Sequence, residues 1–185
     1  MKNPTLAAAA ALVVFSMAAC DDDPFQVNWE ADADTATLFA LSRPELNLPA
    51  AFDFFSRLPV RLESPTTGSN WDLALDSQGG ELVWLPPRAL GVSSEAGVAV
   101  LEGQTFLDAR QAPGDTARYA KDQAVPIRTG EIYVVRTRLI PGAFGTLCTY
   151  YGKIEALEIE AVPGRMTFQF DVSPVCNDRD LIPPN

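Results

Sequence analysis

Apolar runs in this chain are short, and nearly all are cut off by Pro, Gly, Asn or Asp before a helix face could form. The clearest pattern lies near the carboxy terminus, where Met166, Phe168, Phe170 and Val172 alternate with Thr167, Gln169, Asp171 and Ser173. A period of two sends alternate side chains to opposite faces of a strand, so this segment is expected to be half-buried. Ile132–Val135 is dense in β-formers, after which Arg136 and Arg138 alternate with Thr137 and Leu139. Further strand candidates are Phe25–Trp29, Ala36–Leu41, Phe52–Phe55, Val60–Glu63, Trp71–Leu75, Glu81–Leu85 and Val98–Leu101. The 15 prolines suit turns and sheet edges rather than helix interiors. Thr116–Lys121 offers one short turn of helix, because Pro113-Gly114 interrupts the helix-compatible stretch from Thr105 to Ala120. Many short strands between turn residues predict an all-β fold, a single antiparallel sandwich or barrel-like domain.

The amino terminus reads differently. Met1-Lys2 is a short basic start, followed by an apolar run of 14 residues from Leu6 to Ala19 that ends in Met17-Ala18-Ala19-Cys20. Small residues directly before a cysteine are the layout of a bacterial lipoprotein signal, and the run is short of the ~20 residues a membrane span needs. The expected organisation is a signal peptide over 1–19, a lipidated Cys20 with an acidic tether over 20–24, an all-β domain over 25–176 and a polar tail over 177–185, ordered only as far as a bridge at Cys176 holds it. Asp21-Asp22-Asp23 reads as a solvated spacer, the alternative being a sorting signal. The expected address is the bacterial cell envelope, on the periplasmic or cell-surface side, attached to the membrane through the lipid.

Charge and composition narrow the function. Loss of the first 19 of 185 residues leaves 166, with 24 acidic side chains against 13 basic ones. A domain this acidic, without a basic cluster, is a poor match for nucleic acid, whose phosphates require Lys and Arg. Histidine is absent, which removes Ser-His-Asp and Cys-His catalysis, His-ligated zinc and His-ligated haem. No Gly-x-Ser-x-Gly elbow, phosphate-binding glycine loop or calcium loop is present. No catalytic residue, metal ligand or cofactor is therefore assigned.

Two cysteines remain after Cys20. Thr146–Ala161 and Arg165–Val172 read as a hairpin turning at Pro163-Gly164. Pairing Val162 with Arg165 would set Cys148 opposite Arg179, three residues beyond Cys176, an offset that a bulge or chain crossing could absorb. A Cys148–Cys176 disulfide is expected in an oxidising compartment; two independent buried thiols are the alternative.

Several clusters carry both a structural and a functional reading. In Asn70–Leu75, Trp71, Leu73 and Leu75 are expected on one strand face, with Trp71 a core anchor or a ligand platform. Asp72, on the other face, reads as a partner for backbone or Arg, or as a polar contact to a ligand. Phe52 and Phe54 point one way and Asp53 and Phe55 the other. Trp84 stands where a stiff Pro86-Pro87-Arg88 loop begins, which either presents Trp84 and Arg88 to a partner or leaves Trp84 as a cap on the sheet. The irregular stretch from Pro86 to Tyr119 is the first place to look for binding.

Four segments resemble, in order, strands of the HmuY-type family of haem-binding lipoproteins: Phe52–Ser56, Asn70–Leu75, Ile132–Thr137 with Tyr151–Ile154, and Gly164–Phe170. The resemblance implies an all-β, lipid-anchored domain that captures a ligand. It carries no ligand residue across, because that family holds haem through His or paired Met and this chain has only Met166 in its mature part. The expected function is a non-enzymatic envelope lipoprotein that binds a partner protein or small ligand, or serves as an accessory subunit of an envelope complex. The alternative is a diverged haem-capture or cofactor-capture protein, with Tyr119, Tyr133, Tyr150 or Tyr151 as ligand; a carboxylate hydrolase is a third reading.

Overall fold

The structure, a computed structural model, describes residues 29–63 and 68–184. Cys20, the leader, the tether and most of the Phe25–Trp29 segment lie outside the described residues. The described chain is all-β. Its strands run β1 (Asp34–Phe39), β2 (Ala51–Asp53), β3 (Leu58–Val60), β4 (Leu73–Gln78), β5 (Glu81–Leu85) and β6 (Gly97–Leu101). There follow β7 (Val125–Pro126), β8 (Ile132–Arg136), β9 (Ile140–Pro141), β10 (Leu147–Cys148), β11 (Tyr151–Glu160) and β12 (Arg165–Val172). Helical structure among the described residues is confined to three short 3-10 turns, one of them at Thr116–Arg118 where the sequence allows it.

The strands form two five-stranded antiparallel sheets, ordered β1-β12-β11-β8-β6 and β3-β2-β4-β5-β7, with β9 and β10 as a separate ribbon. Both sheets contribute to one core. Leu38, Tyr133, Val135, Ile154, Met166, Phe168 and Phe170 come from the first sheet; Phe52, Leu73, Leu75, Leu82 and Trp84 come from the second. Phe52 meets Phe168 and Phe170 edge-on at centroid distances of 5.4 and 4.8 Å, and Trp84 meets Phe168 at 5.5 Å. Edge-to-face aromatic pairs add about 0.5–1.5 kcal/mol each beyond the area they bury. Trp84 is thus a core residue rather than a cap on the sheet.

The apolar run Ile132–Val135 has a specific cause: β8 is covered on both faces. Tyr133 and Val135 enter the shared core, whereas Ile132 and Val134 join a second cluster with Ala99, Leu101, Phe106, Ala109, Ala112, Tyr119, Tyr151 and Leu181. The chain between β6 and β7 therefore covers the outer face of the first sheet. The carboxy-terminal segment belongs to this cover, which corrects the expected loose tail after residue 176. Leu181 is buried, its N–H donates to the Arg110 carbonyl at 2.8 Å, and the Ala112 N–H donates to the Arg179 carbonyl at 2.8 Å. One buried apolar residue, Leu181, with backbone partners on both sides, is enough to dock the segment.

A second correction concerns Trp71. It packs with Ala51, Ala74, Val83 and Leu85 on the outer face of the second sheet, not with Leu73 and Leu75. The cause is that β4 begins only at Leu73, so strand alternation does not extend back to Trp71.

The β11–β12 register also differs from the expected one and explains the cysteines. The turn is two residues longer, with Glu160 facing Arg165, and one residue bulges between Ala156 and Glu158. These changes together remove the three-residue offset: Gly152 faces Val172, and the same register continued by four residues sets Cys148 opposite Cys176. The disulfide is formed, with the two Cα atoms 5.0 Å apart. In the turn, Gly164 has φ +83, and a Cβ there would lie 2.9 Å from the Cβ of Ala40.

Candidate functional site

The ends of β2 and β8 and the segment leading into β4 bring three charged side chains together. Arg138 Nη1 donates to Asp53 Oδ1 at 2.8 Å and Nη2 to Oδ2 at 3.1 Å, a two-pronged pair. Nη1 also reaches Asp72 Oδ1 at 3.1 Å. Asp72 is further satisfied by the backbone N–H groups of Arg138, at 2.8 Å, and Phe54, at 2.9 Å. Burial pushes the Asp72 carboxyl up to about 6, although the Arg138 charge and N–H work against the rise. For Asp53 burial also acts upward, but the hydrogen bonds and charge of Arg138 prevail and hold it below the usual range. This cluster joins the two sheets, so Asp72 serves as the backbone and Arg partner of its structural reading.

Arg138 also lines a hollow of about 280 Å³, with Ser69, Ser93, Ser94, Glu95 and Leu139. Glu95 is the centre of a second cluster. Its carboxylate pairs with Arg88, with Lys121 Nζ at 2.8 Å and with Arg136 Nη1 at 3.7 Å. The hydrogen bond from Lys121, ahead of the charges around it, keeps Glu95 below its ordinary range. Local structure fixes the cations. Pro86-Pro87 leads into a 3-10 turn over Pro87–Leu90, ended by Gly91 at φ +77. Arg88 Nε then donates to the Ser94 carbonyl at 2.5 Å, and Arg136 Nη1 to the Glu95 carbonyl at 2.6 Å. A second hollow, of about 480 Å³, is lined by Arg88 and residues 116–123. Arg118 lines it with no ion-pair partner among the described residues.

A third, smaller hollow of about 190 Å³ lies between Phe54, Phe55, Arg57, Tyr150, Val172, Ser173 and Pro174. Phe55 stacks on Tyr150 with ring centroids 4.9 Å apart. Arg57, at φ +59, lies over the Phe170 ring and 3.8 Å from the buried Asp171. Across from Asp171 in the ladder, Lys153 is also buried; it donates to the Phe106 carbonyl at 2.9 Å. Burial lowers the Lys153 ammonium and raises the Asp171 carboxyl.

The four tyrosines do not meet at one hollow. Tyr119 donates its hydroxyl to the Pro113 carbonyl at 3.1 Å, and the Tyr133 hydroxyl accepts from the Arg128 N–H at 2.9 Å. Tyr151 packs near Tyr119, and Tyr150 packs against Phe55. Among the described residues no group of three or more acidic or cysteine side chains is placed to hold a metal.

The Pro86–Tyr119 stretch, expected to hold the binding residues, contributes to two of the three hollows. Nothing in the local sequence marks Lys121, Arg136 and Arg138 as a group. The one visible signal was the Arg-x-Arg alternation at 136–138 in an acidic chain. No protein-family model matches this chain, and no curated protein does.

Proposed function

We propose that this chain is a non-enzymatic lipoprotein of the bacterial envelope, anchored through Cys20, which binds a partner or small ligand bearing an acidic group at the hollow beside Arg88, Arg118 and Lys121. The supporting observation is the charge imbalance around Glu95, where one carboxylate faces three cations in a chain whose formal net charge is −10. Such a surplus on preformed loops favours an incoming anion and costs little reorganisation. The carboxylates that do converge, Asp53 and Asp72, are buried and taken up by Arg138. That arrangement favours a binding reading over a carboxylate hydrolase.

The test is calorimetric titration of the detergent-solubilised full chain with citrate and with inorganic phosphate. Saturable binding by the natural chain, lost in Arg88→Ala/Lys121→Ala, is the expected result. Equal heats for both proteins would reject the site. Intact mass before and after Cys20→Ala checks the anchor separately.

A further inference from the structure

The ladder fixes which end of the first sheet receives the amino-terminal segment. Asp34, where β1 begins, faces Phe170 near the end of β12. Just before it, the Asp32 carbonyl accepts from Arg57 Nη2 at 2.8 Å. At that same end Gly152 faces Val172 and Tyr151 faces Arg136. The hairpin joining β8 to β11, which carries the β9–β10 ribbon, therefore leaves the sheet where the chain from Cys20 enters it. Eight residues lie between Cys20 and Trp29, at most ~30 Å of extended chain, so a lipid on Cys20 would hold this end towards the bilayer.

The composition of this end fits that orientation. Residues 139–152 contain no charged side chain, the longest such run after Cys20. At the tip of the hairpin Phe144 is fully exposed, and Leu139 and Leu147 are half exposed. Phe55, on the turn between β2 and β3 beside the Asp53–Arg138 pair, adds a further exposed ring. The tip is also braced. The Cys148–Cys176 bridge closes its base, and Gly142 packs so closely that a Cβ there would lie 2.5 Å from the Cys148 sulfur. The opposite end of the sheet has no such uncharged hairpin: its β11–β12 turn exposes Val162 among Glu158, Glu160 and Arg165.

We infer that the 139–148 hairpin is a second membrane contact, which seats Phe144, Leu139 and Leu147 at the interface of the bilayer that carries the anchor. The inference rests on the lipid-anchor reading above. Exposed aromatic and aliphatic side chains on an uncharged hairpin partition to the boundary between headgroups and acyl chains. The contact would add to the acyl chains and set the orientation of the domain, because a lipid tether alone leaves the domain free to rotate.

The test uses the lipidated full chain in phosphatidylethanolamine–phosphatidylglycerol vesicles, with an NBD fluorophore on Phe144→Cys or, as a control at the far turn, on Ala161→Cys. Ala143→Cys replaces the first variant if that one fails to fold. The expected result is a blue-shifted emission at the hairpin and iodide quenching several-fold weaker than at 161. Equal iodide access at both positions, with vesicle association still lost in Cys20→Ala, would overturn the hairpin contact and leave the anchor standing. A natural chain that does not sediment with the vesicles would overturn the anchor reading, and this inference with it.

Discussion

Arg138 and Glu95 line the same hollow, yet the ion clusters they belong to are built in opposite ways. In the first, two carboxylates share one guanidinium, and two backbone N–H groups satisfy what remains of the fully buried Asp72. In the second, one part-exposed carboxylate is shared among Arg88, Lys121 and Arg136. A buried cluster with every group satisfied has no spare capacity, and its role is to fix how β2, β4 and β8 meet. A part-exposed cluster with surplus positive charge contributes little to the fold but retains an electrostatic demand that a ligand can meet. The two neighbouring clusters thus divide structure from recognition.

The comparison breaks first, and by the largest amount, at Arg138. Arg138→Ala leaves Asp53 and Asp72 facing each other without a counter-charge, which should cost about 3–5 kcal/mol of unfolding free energy. Urea denaturation followed by tryptophan fluorescence measures it. A loss below ~1 kcal/mol would place this pair with ordinary surface ion pairs and end its distinction from the Glu95 cluster.

A smaller effect comes from pH. Burial raises the Asp72 carboxyl from an ordinary 3.8 to about 6 in the folded protein, so between these values the folded state holds more protons than the unfolded one. Stability from this group therefore grows as pH falls from 7 to 5, by about 1 kcal/mol. Asp53 is shifted the other way; its contribution is complete above its unfolded value and is lost only at pH below it, outside this window. The difference in urea stability between pH 5 and pH 7 should thus be about 1 kcal/mol more favourable to acid in the natural chain than in Asp72→Asn. The subtraction removes groups common to both proteins, including Asp171, whose carboxyl burial also raises. Parallel pH profiles for the two proteins would show that Asp72 stays charged throughout.

The fold was more legible than the site because strand alternation is a local property. Met166, Phe168 and Phe170 announced their buried face by spacing alone, and Glu81–Leu85 reads as a strand with the bounds it has in the structure. Trp71 departs from the alternation of Leu73 and Leu75 because the strand begins only at Leu73. The register of β11 against β12 depended on a bulge at Ala156/Glu158 that no residue type signals. The docked tail depended on Leu181 finding a cluster built from β6, β8 and the long connection between them. The charged clusters were hidden for the same reason. Glu95 and Lys121 are 26 positions apart and Asp53 and Arg138 are 85 apart, so neither pairing leaves a trace in local sequence. Asp72 alone reads from the sequence as a partner for backbone or Arg, from its place in the Trp71-Asp72-Leu73 segment.

The smallest change in stability, and the sharpest test of recognition, is expected at Glu95. Glu95→Gln removes the shared carboxylate, leaving Arg88, Lys121 and Arg136 without their counter-charge. Because these pairs are partly exposed, unfolding free energy should fall by less than ~1 kcal/mol. Anion affinity should move the other way, since the incoming acid no longer competes with a resident one, and titration with citrate should show tighter binding that weakens steeply with salt. Weaker binding in Glu95→Gln would mean that the carboxylate acts chiefly by holding Arg88 and Lys121 in place. In that case the second cluster, like the first, would be an element of the fold, and the charge surplus would carry no recognition.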